Sequence, residues 1–251
     1  MRKPIVAGNW KMHKTVVEAE DLVNLLKTDI EKVIAVESVF CVPFTALYKV
    51  SSMLLGSRIG VGVQNIHWEK QGAFTGEISP IMVKEFANYA IIGHSERRAY
   101  FGETDEFVNK RLIAALENDI VPIVCIGETL EENKQGITSK VIERQISVGL
   151  KNISPEIGEK VVVAYEPVWA IGTGLACDPT EANEIILNSI RKPLANIFGE
   201  ETSMKIRIQY GGSVNGSNAK EYFSQSEIDG ALVGGSSLKP DFIEIVKAAA
   251  Q

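Results

Sequence analysis

The stretch VVVAYEPVWAIGTG, Val161–Gly174, joins a run of β-branched and aliphatic residues to a glutamate, a proline and a loop carrying a tryptophan and two glycines. A short, nearly unbroken apolar run reads as a strand buried on both faces. Working outward, similar runs recur along the chain: PIVAG from Pro4, SVFCV from Ser38, RIGVGV from Arg58, YAIIG from Tyr89, IVPIVCI from Ile120, KVVVAY from Lys160 itself, KIRIQY from Lys205 and DGALVG from Asp229. Eight strands are therefore expected.

Between the runs the apolar residues change to helical spacing. In VVEAEDLVNLLKTDIEKV, Val16, Ala19, Val23, Leu26 and Ile30 recur at three- and four-residue steps along one face. Further helices are expected near Asp105, Thr138, Pro179 and Pro240. Ser79-Pro80 and Asp178-Pro179 each place a capping side chain before a proline at the first helical position, and Asp178 with Glu181 has the spacing of a capping box. Eight strands alternating with helices leave two α/β architectures, an open doubly wound sheet or a closed (β/α)8 barrel of parallel strands each followed by a helix. The count favours the barrel, and no GxGxxG follows the first strand to favour a dinucleotide fold. No low-complexity linker or repeat divides the chain, so residues 1–251 are read as one barrel domain.

The 251 residues are 45% hydrophobic and 23% charged, a balance that suits a large soluble core. The net charge of −6 is spread along the chain without a Lys/Arg block, which argues against nucleic acid as a partner. Cys41, Cys125 and Cys177 are odd in number and far apart, suggesting neither a disulfide framework nor a metal site. With no signal-like or membrane-length segment, a cytoplasmic location is expected, with no membrane partner.

In a barrel of this kind the chemistry gathers at the carboxyl ends of the strands. There the first strand is followed by Asn9, Trp10 and Lys11, the third by Gln64 and Asn65, the fourth by His94, Ser95 and Glu96, and the sixth by Glu166. Gly211-Gly212-Ser213 and Gly234-Gly235-Ser236 follow the last two; paired glycines let backbone N–H groups approach an anion closely, as in a phosphate cup. His94 stands where a neutral imidazole meets a carbonyl oxygen, and Lys11 offers a fixed cation for a phosphate or oxyanion. Glu96 reads as a supporting carboxylate, with Arg97 and Arg98 at hand to pair with it or with a neighbouring loop. His13 and His67 read as surface or packing residues, and Cys125 as a buried structural one.

Pro167 biases Glu166 towards an extended backbone, so its side chain continues the strand into the barrel mouth. Covered by the apolar Val168, Trp169, Ala170 and Ile171, the carboxylate is expected to lose water and become more basic, fit to take a proton from carbon. Gly172, Thr173 and Gly174 give that cover a flexible end and another N–H for phosphate.

Together GNWKM, GHSERR, CIGETLEE, AYEPVWAIGTG, YGGSV and GALVGGSSLK resemble the triosephosphate isomerase family, in the same order and from about Pro4 to Lys239. The resemblance implies the TIM barrel and interconversion of dihydroxyacetone phosphate and glyceraldehyde 3-phosphate in glycolysis and gluconeogenesis, without metal or organic cofactor. It also implies Asn9 and Lys11 as substrate binders, His94 as electrophile, Glu166 as base, Glu96 as a supporting acid, and Gly172, Ser213, Gly234 and Gly235 at the phosphate. One departure is Leu175-Ala176, where the family commonly has Lys-Thr, so the hinge of a lid around 167–177 is expected to open with its own rate or equilibrium. The long segment NIHWEKQGAFTGEIS, residues 65–79, carries Ala73 and Phe74 and is expected to dock on a second copy of the chain, with Thr75 near the other subunit's site. Two rival readings are a Schiff-base aldolase using Lys11 and a non-catalytic sugar-phosphate binding protein.

Overall fold

The computed structural model describes residues 2–172 and 175–251. Eight parallel strands, β1 (Ile5–Asn9), β2 (Glu37–Val42), β3 (Gly60–Val63), β4 (Tyr89–Ile92), β5 (Val121–Ile126), β6 (Val162–Tyr165), β7 (Arg207–Tyr210) and β8 (Gly230–Val233), pair in chain order. β8 returns to β1, where Ile5 faces Gly230 on one side and Glu37 on the other, so the barrel is closed. Helices follow every strand.

Side chains alternate across a strand, and in a closed barrel that alternation separates two cores. Ile5, Ala7, Val39, Cys41, Ile91, Ile123, Cys125, Val162, Ala164 and Leu232 form one cluster inside the barrel. Their strand neighbours Val6, Phe40, Val42, Ile92, Val124, Val163 and Tyr165 pack outward against the helices. Burial on both faces explains the unbroken apolar runs.

The helix Val16–Glu31 begins with Thr15 and Glu18 in a full capping box and buries Ala19, Leu22, Val23, Leu26 and Ile30. Val16 is not part of that stripe: it is 41% exposed, and Leu22 completes the face instead. Ser79 caps Met82 N–H as its spacing predicts. At Asp178 only half of the expected box forms; its carboxylate accepts from the Thr180 and Glu181 N–H groups, with no return bond from the Glu181 side chain. Among the described residues, no helix is long and apolar enough to cross a membrane.

Candidate active site

The alternation along β6 places the glutamate. Val162 and Ala164 point into the barrel, so the same two-residue step aims Glu166 inward, and its N–H continues the ladder by donating to Ile126 O at 2.7 Å. Pro167 follows at φ −64, and the glutamate side chain is buried. One carboxylate oxygen, Oε2, accepts from Ser95 N–H at 2.9 Å, while Oε1 lies 3.0 Å from Nε2 of His94.

His94 reaches that position through a turn. Gly93 has φ +69, a left-handed conformation that costs a glycine little, and it swings the chain from β4 into the helix Ser95–Phe101. His94 is the N-cap of this helix, and its Nδ1 accepts the Glu96 N–H at 3.2 Å. An Nδ1 that accepts carries no proton, so the neutral Nε2–H tautomer satisfies both contacts, donating to Glu166.

Burial alone pushes the Glu166 carboxyl up, but the charge and hydrogen bond of His94 and the Ser95 N–H outweigh it, and the group lies below its ordinary value. The expected gain in basicity is thus corrected: drying is present, yet the close imidazole reverses its effect. For His94 the burden of burial is likewise overcome, chiefly by Glu166 and then Glu96, and its titration moves up. The contact between the two side chains enters both shifts.

Asn9 continues the inward parity of Ile5 and Ala7, and its Oδ1 accepts from Lys11 N–H at 3.0 Å. That bond holds Lys11 at φ 52, a conformation uncommon outside glycine. The Lys11 ammonium then sits 2.6 Å from Glu96 Oε1. Of the two partners expected for Arg97 and Arg98, the structure shows the neighbouring segment and not Glu96: Arg97 pairs with Glu103 and Arg98 with Asp105.

The two glycine pairs meet these groups across one cavity of about 330 Å³, lined also by Asn9, Lys11, His94, Glu166, Gly172 and Ser213. Gly235 opens the short helical turn Gly235–Leu238. Ser213 Oγ donates to Ala170 O at 2.8 Å, tying the loop after β7 to the loop after β6. Ile171 and Gly172 border the cavity, whereas Trp169 Nε1 donates to Glu128 at 2.8 Å; Thr173 and Gly174 lie outside the described residues.

Two participants were not singled out from the sequence. Ser95 acts through a backbone N–H, which no side-chain pattern reveals. Glu128 is fully buried and gathers Trp169, Tyr165 and Asn133; burial moves its titration up against those hydrogen bonds. The GETLEE context of Glu128 was visible, but not the tryptophan that reaches it. His67 is a packed residue, stacked on Trp68 at 4.3 Å. All three thiols are free and buried, and burial pushes those of Cys41 and Cys177 up to about 12. No group of three or more potential metal ligands occurs among the described residues.

Residues 4–249 match the family model described as triosephosphate isomerase. Curated triosephosphate isomerases are similar end to end: that of Dictyoglomus turgidum is 51% identical over 99% of this chain and 100% of its own length. The Carboxydothermus hydrogenoformans enzyme shares 51% over 99% and 100%, and that of Clostridium tetani 50% over 98% and 96%. With a closed eight-stranded barrel and half of its residues shared along nearly the whole chain, the protein belongs to the triosephosphate isomerase family.

Proposed function

We propose that this cavity interconverts dihydroxyacetone phosphate and glyceraldehyde 3-phosphate through an enediol(ate), with Glu166 as the base. The observation that carries the reading is the buried Glu166–His94 contact of 3.0 Å at the mouth of a cavity whose far wall is built of paired glycines. Substrate phosphate is held by backbone N–H groups at Gly172, Ser213, Gly234 and Gly235, which fixes the triose carbons beside the carboxylate. Glu166 turns from His94 and removes the proton from the carbon next to the carbonyl; the C–H electron pair becomes the enediolate double bond and the carbonyl oxygen takes the charge. His94, as a neutral donor, and Lys11 stabilise that oxygen, Asn9 orients it, and Glu96 supports Lys11. Return of the proton to the neighbouring carbon completes the isomerisation. A glutamate base beside a neutral histidine is the arrangement already known for triosephosphate isomerases. A lid spanning 167–177 closes over the intermediate and keeps it from shedding phosphate.

The aldolase reading is less well supported. Lys11 is a quarter exposed and paired with Glu96, whereas Schiff-base lysines sit in apolar pockets or beside other cations. A single barrel domain acting in the cytoplasm as a homodimer through residues 65–79 completes the proposal. It is supported by Met12, 96% exposed beside the site, and by Phe74, 43% exposed at the tip of that loop.

A coupled assay with glyceraldehyde 3-phosphate run in deuterated water tests the activity. Isomerisation with solvent deuterium in the product is expected; binding without exchange supports the non-catalytic alternative, and covalent trapping by borohydride supports the aldolase.

A further inference from the structure

The backbone that carries Glu166 rests on the turn after β5. Glu166 N–H donates to Ile126 O at 2.7 Å and Val168 N–H to Glu128 O at 3.0 Å, so the two segments continue their ladder past the ends of the strands. Between those rungs stands Gly127, and a Cβ atom built on it would fall 1.7 Å from Glu166 O, so only a glycine lets the segments lie this close. The polar groups of Gly127 are held from elsewhere. Gln145, buried in the helix Thr138–Gly149, accepts the Gly127 N–H at 2.8 Å through Oε1 and donates from Nε2 to Gly127 O at 3.0 Å. One amide side chain thus satisfies both backbone groups of one residue. Its own helix is fixed, since Ile142 and Ile146 lie in the core outside the barrel.

We propose that Gln145 is a positioning residue for the base: by clamping Gly127 it fixes the peptide against which Glu166 lies. The proposal rests on the reading of Glu166 as the base. A second cavity, of about 430 Å³, borders Glu166, Ser95, Gly127 and Gln145, so the turn has room to move once the amide lets go. Gly127 then lacks both a donor and an acceptor, and the turn shifts to regain them. The Glu166 backbone follows it, drawing the carboxylate from Ser95 N–H and His94, and a displacement of about an ångström is enough to slow the chemistry.

The test is Gln145→Met, which keeps the length of the side chain and removes both hydrogen bonds. Its kcat is expected to fall about tenfold with KM held within about twofold, because the glycine pairs that hold the phosphate are untouched. The Glu166 midpoint, followed by carboxyl-carbon NMR, is expected to move up as His94 and Ser95 loosen their hold. Gln145→Glu is the second variant. Burial raises the new carboxyl, as do Glu106 and Glu132 around the cavity, while Arg98 and Arg144 are both engaged by Asp105. Protonated, that carboxyl accepts and donates as the amide does; ionised, it sets an oxygen against Gly127 O. The kcat of Gln145→Glu is therefore expected to match the parent's at low pH and to drop about tenfold below it as the new group ionises. A purely structural glutamine lowers the melting temperature but leaves kcat and the Glu166 midpoint as in the parent, and this result overturns the proposal. Where Gln145→Met does not fold, a ratio of Gln145→Glu to parent kcat that stays flat across pH overturns it equally. Should the parent protein show no isomerase turnover, the functional reading fails by itself, and the Glu166 midpoint in Gln145→Met still decides whether Gln145 positions the carboxylate.

Discussion

A Cβ atom built on Gly211 would come within 2.9 Å of Glu166 Cγ and 3.1 Å of Tyr165 O. The first residue of the glycine pair after β7 therefore does more than clear space for phosphate: it is the wall against which the glutamate side chain rests. Gly211→Ala is expected to displace the carboxylate, lowering kcat by about 10- to 100-fold. Relief of the clash through the side chain limits the stability cost to about 1–3 kcal/mol. Steady-state kinetics and urea unfolding check both; unaltered kcat shows that the wall is not needed.

Glu166→Asp shortens the side chain by one methylene and withdraws its oxygens by about an ångström, a displacement expected to reduce kcat by on the order of 10²-fold with the fold intact. The 2.9 Å bond from Ser95 N–H and the 3.0 Å contact to His94 are both lost or lengthened in the same step. Circular dichroism with a stopped assay distinguishes misplacement from misfolding, and parent-like rates remove Glu166 from the role of base.

The titration of Glu166 gives a signed pH prediction. Burial raises it, while His94 and Ser95 lower it by more, so its midpoint lies below the ordinary 4.5. A lowered acid stabilises the fold above its unfolded value and loses that contribution as pH falls through the folded value. The raised His94, opposed by burial and favoured first by Glu166, contributes below 6.5 and loses its part as pH rises through its folded value. His94→Gln removes the imidazole, so the Glu166 midpoint is expected to move upward and both pH-dependent losses of stability to flatten. Carboxyl-carbon NMR of labelled glutamate measures the first and urea midpoints across pH the second; a Glu166 midpoint that stays in place contradicts the pairing.

How far the sequence reaches is clear from particular residues. The inward aim of Glu166 follows from a two-residue period that continues through Val162 and Ala164, and Pro167 extends it by one residue, so both the strand and the direction of the carboxylate were legible locally. The partner of Glu96 was not. Glu96, Arg97 and Arg98 are consecutive in the helix Ser95–Phe101, and neighbours in a helix point in different directions, so the carboxylate turns instead to Lys11, 85 positions away. The same limit applies to the titration of Glu166. Its burial can be read from the apolar residues that follow it, but the opposing imidazole arrives from β4 only when the barrel closes. Glu128 was hidden for the same reason: the tryptophan that binds it comes from the segment after β6.

Residues 65–79 give the last prediction. Phe74 packs its ring against His67 at 4.4 Å yet leaves 43% of its surface in water, while Ala73 and Thr75 beside it are exposed. The loop is thus pre-shaped by its own aromatic contacts and still offers apolar surface, the combination expected of a segment that inserts into a second copy. Thr75→Arg leaves those internal contacts untouched because Thr75 faces solvent, so the single chain should fold normally. Sedimentation is expected to find the parent at twice the chain mass and Thr75→Arg at the mass of one chain at micromolar concentration. A drop in kcat/KM is expected to accompany dissociation, since Met12, next to the Lys11 turn, stands 96% exposed on the single chain. If the parent sediments as one chain with full activity, the loop has no partner in catalysis and its exposed phenylalanine belongs to the monomer surface.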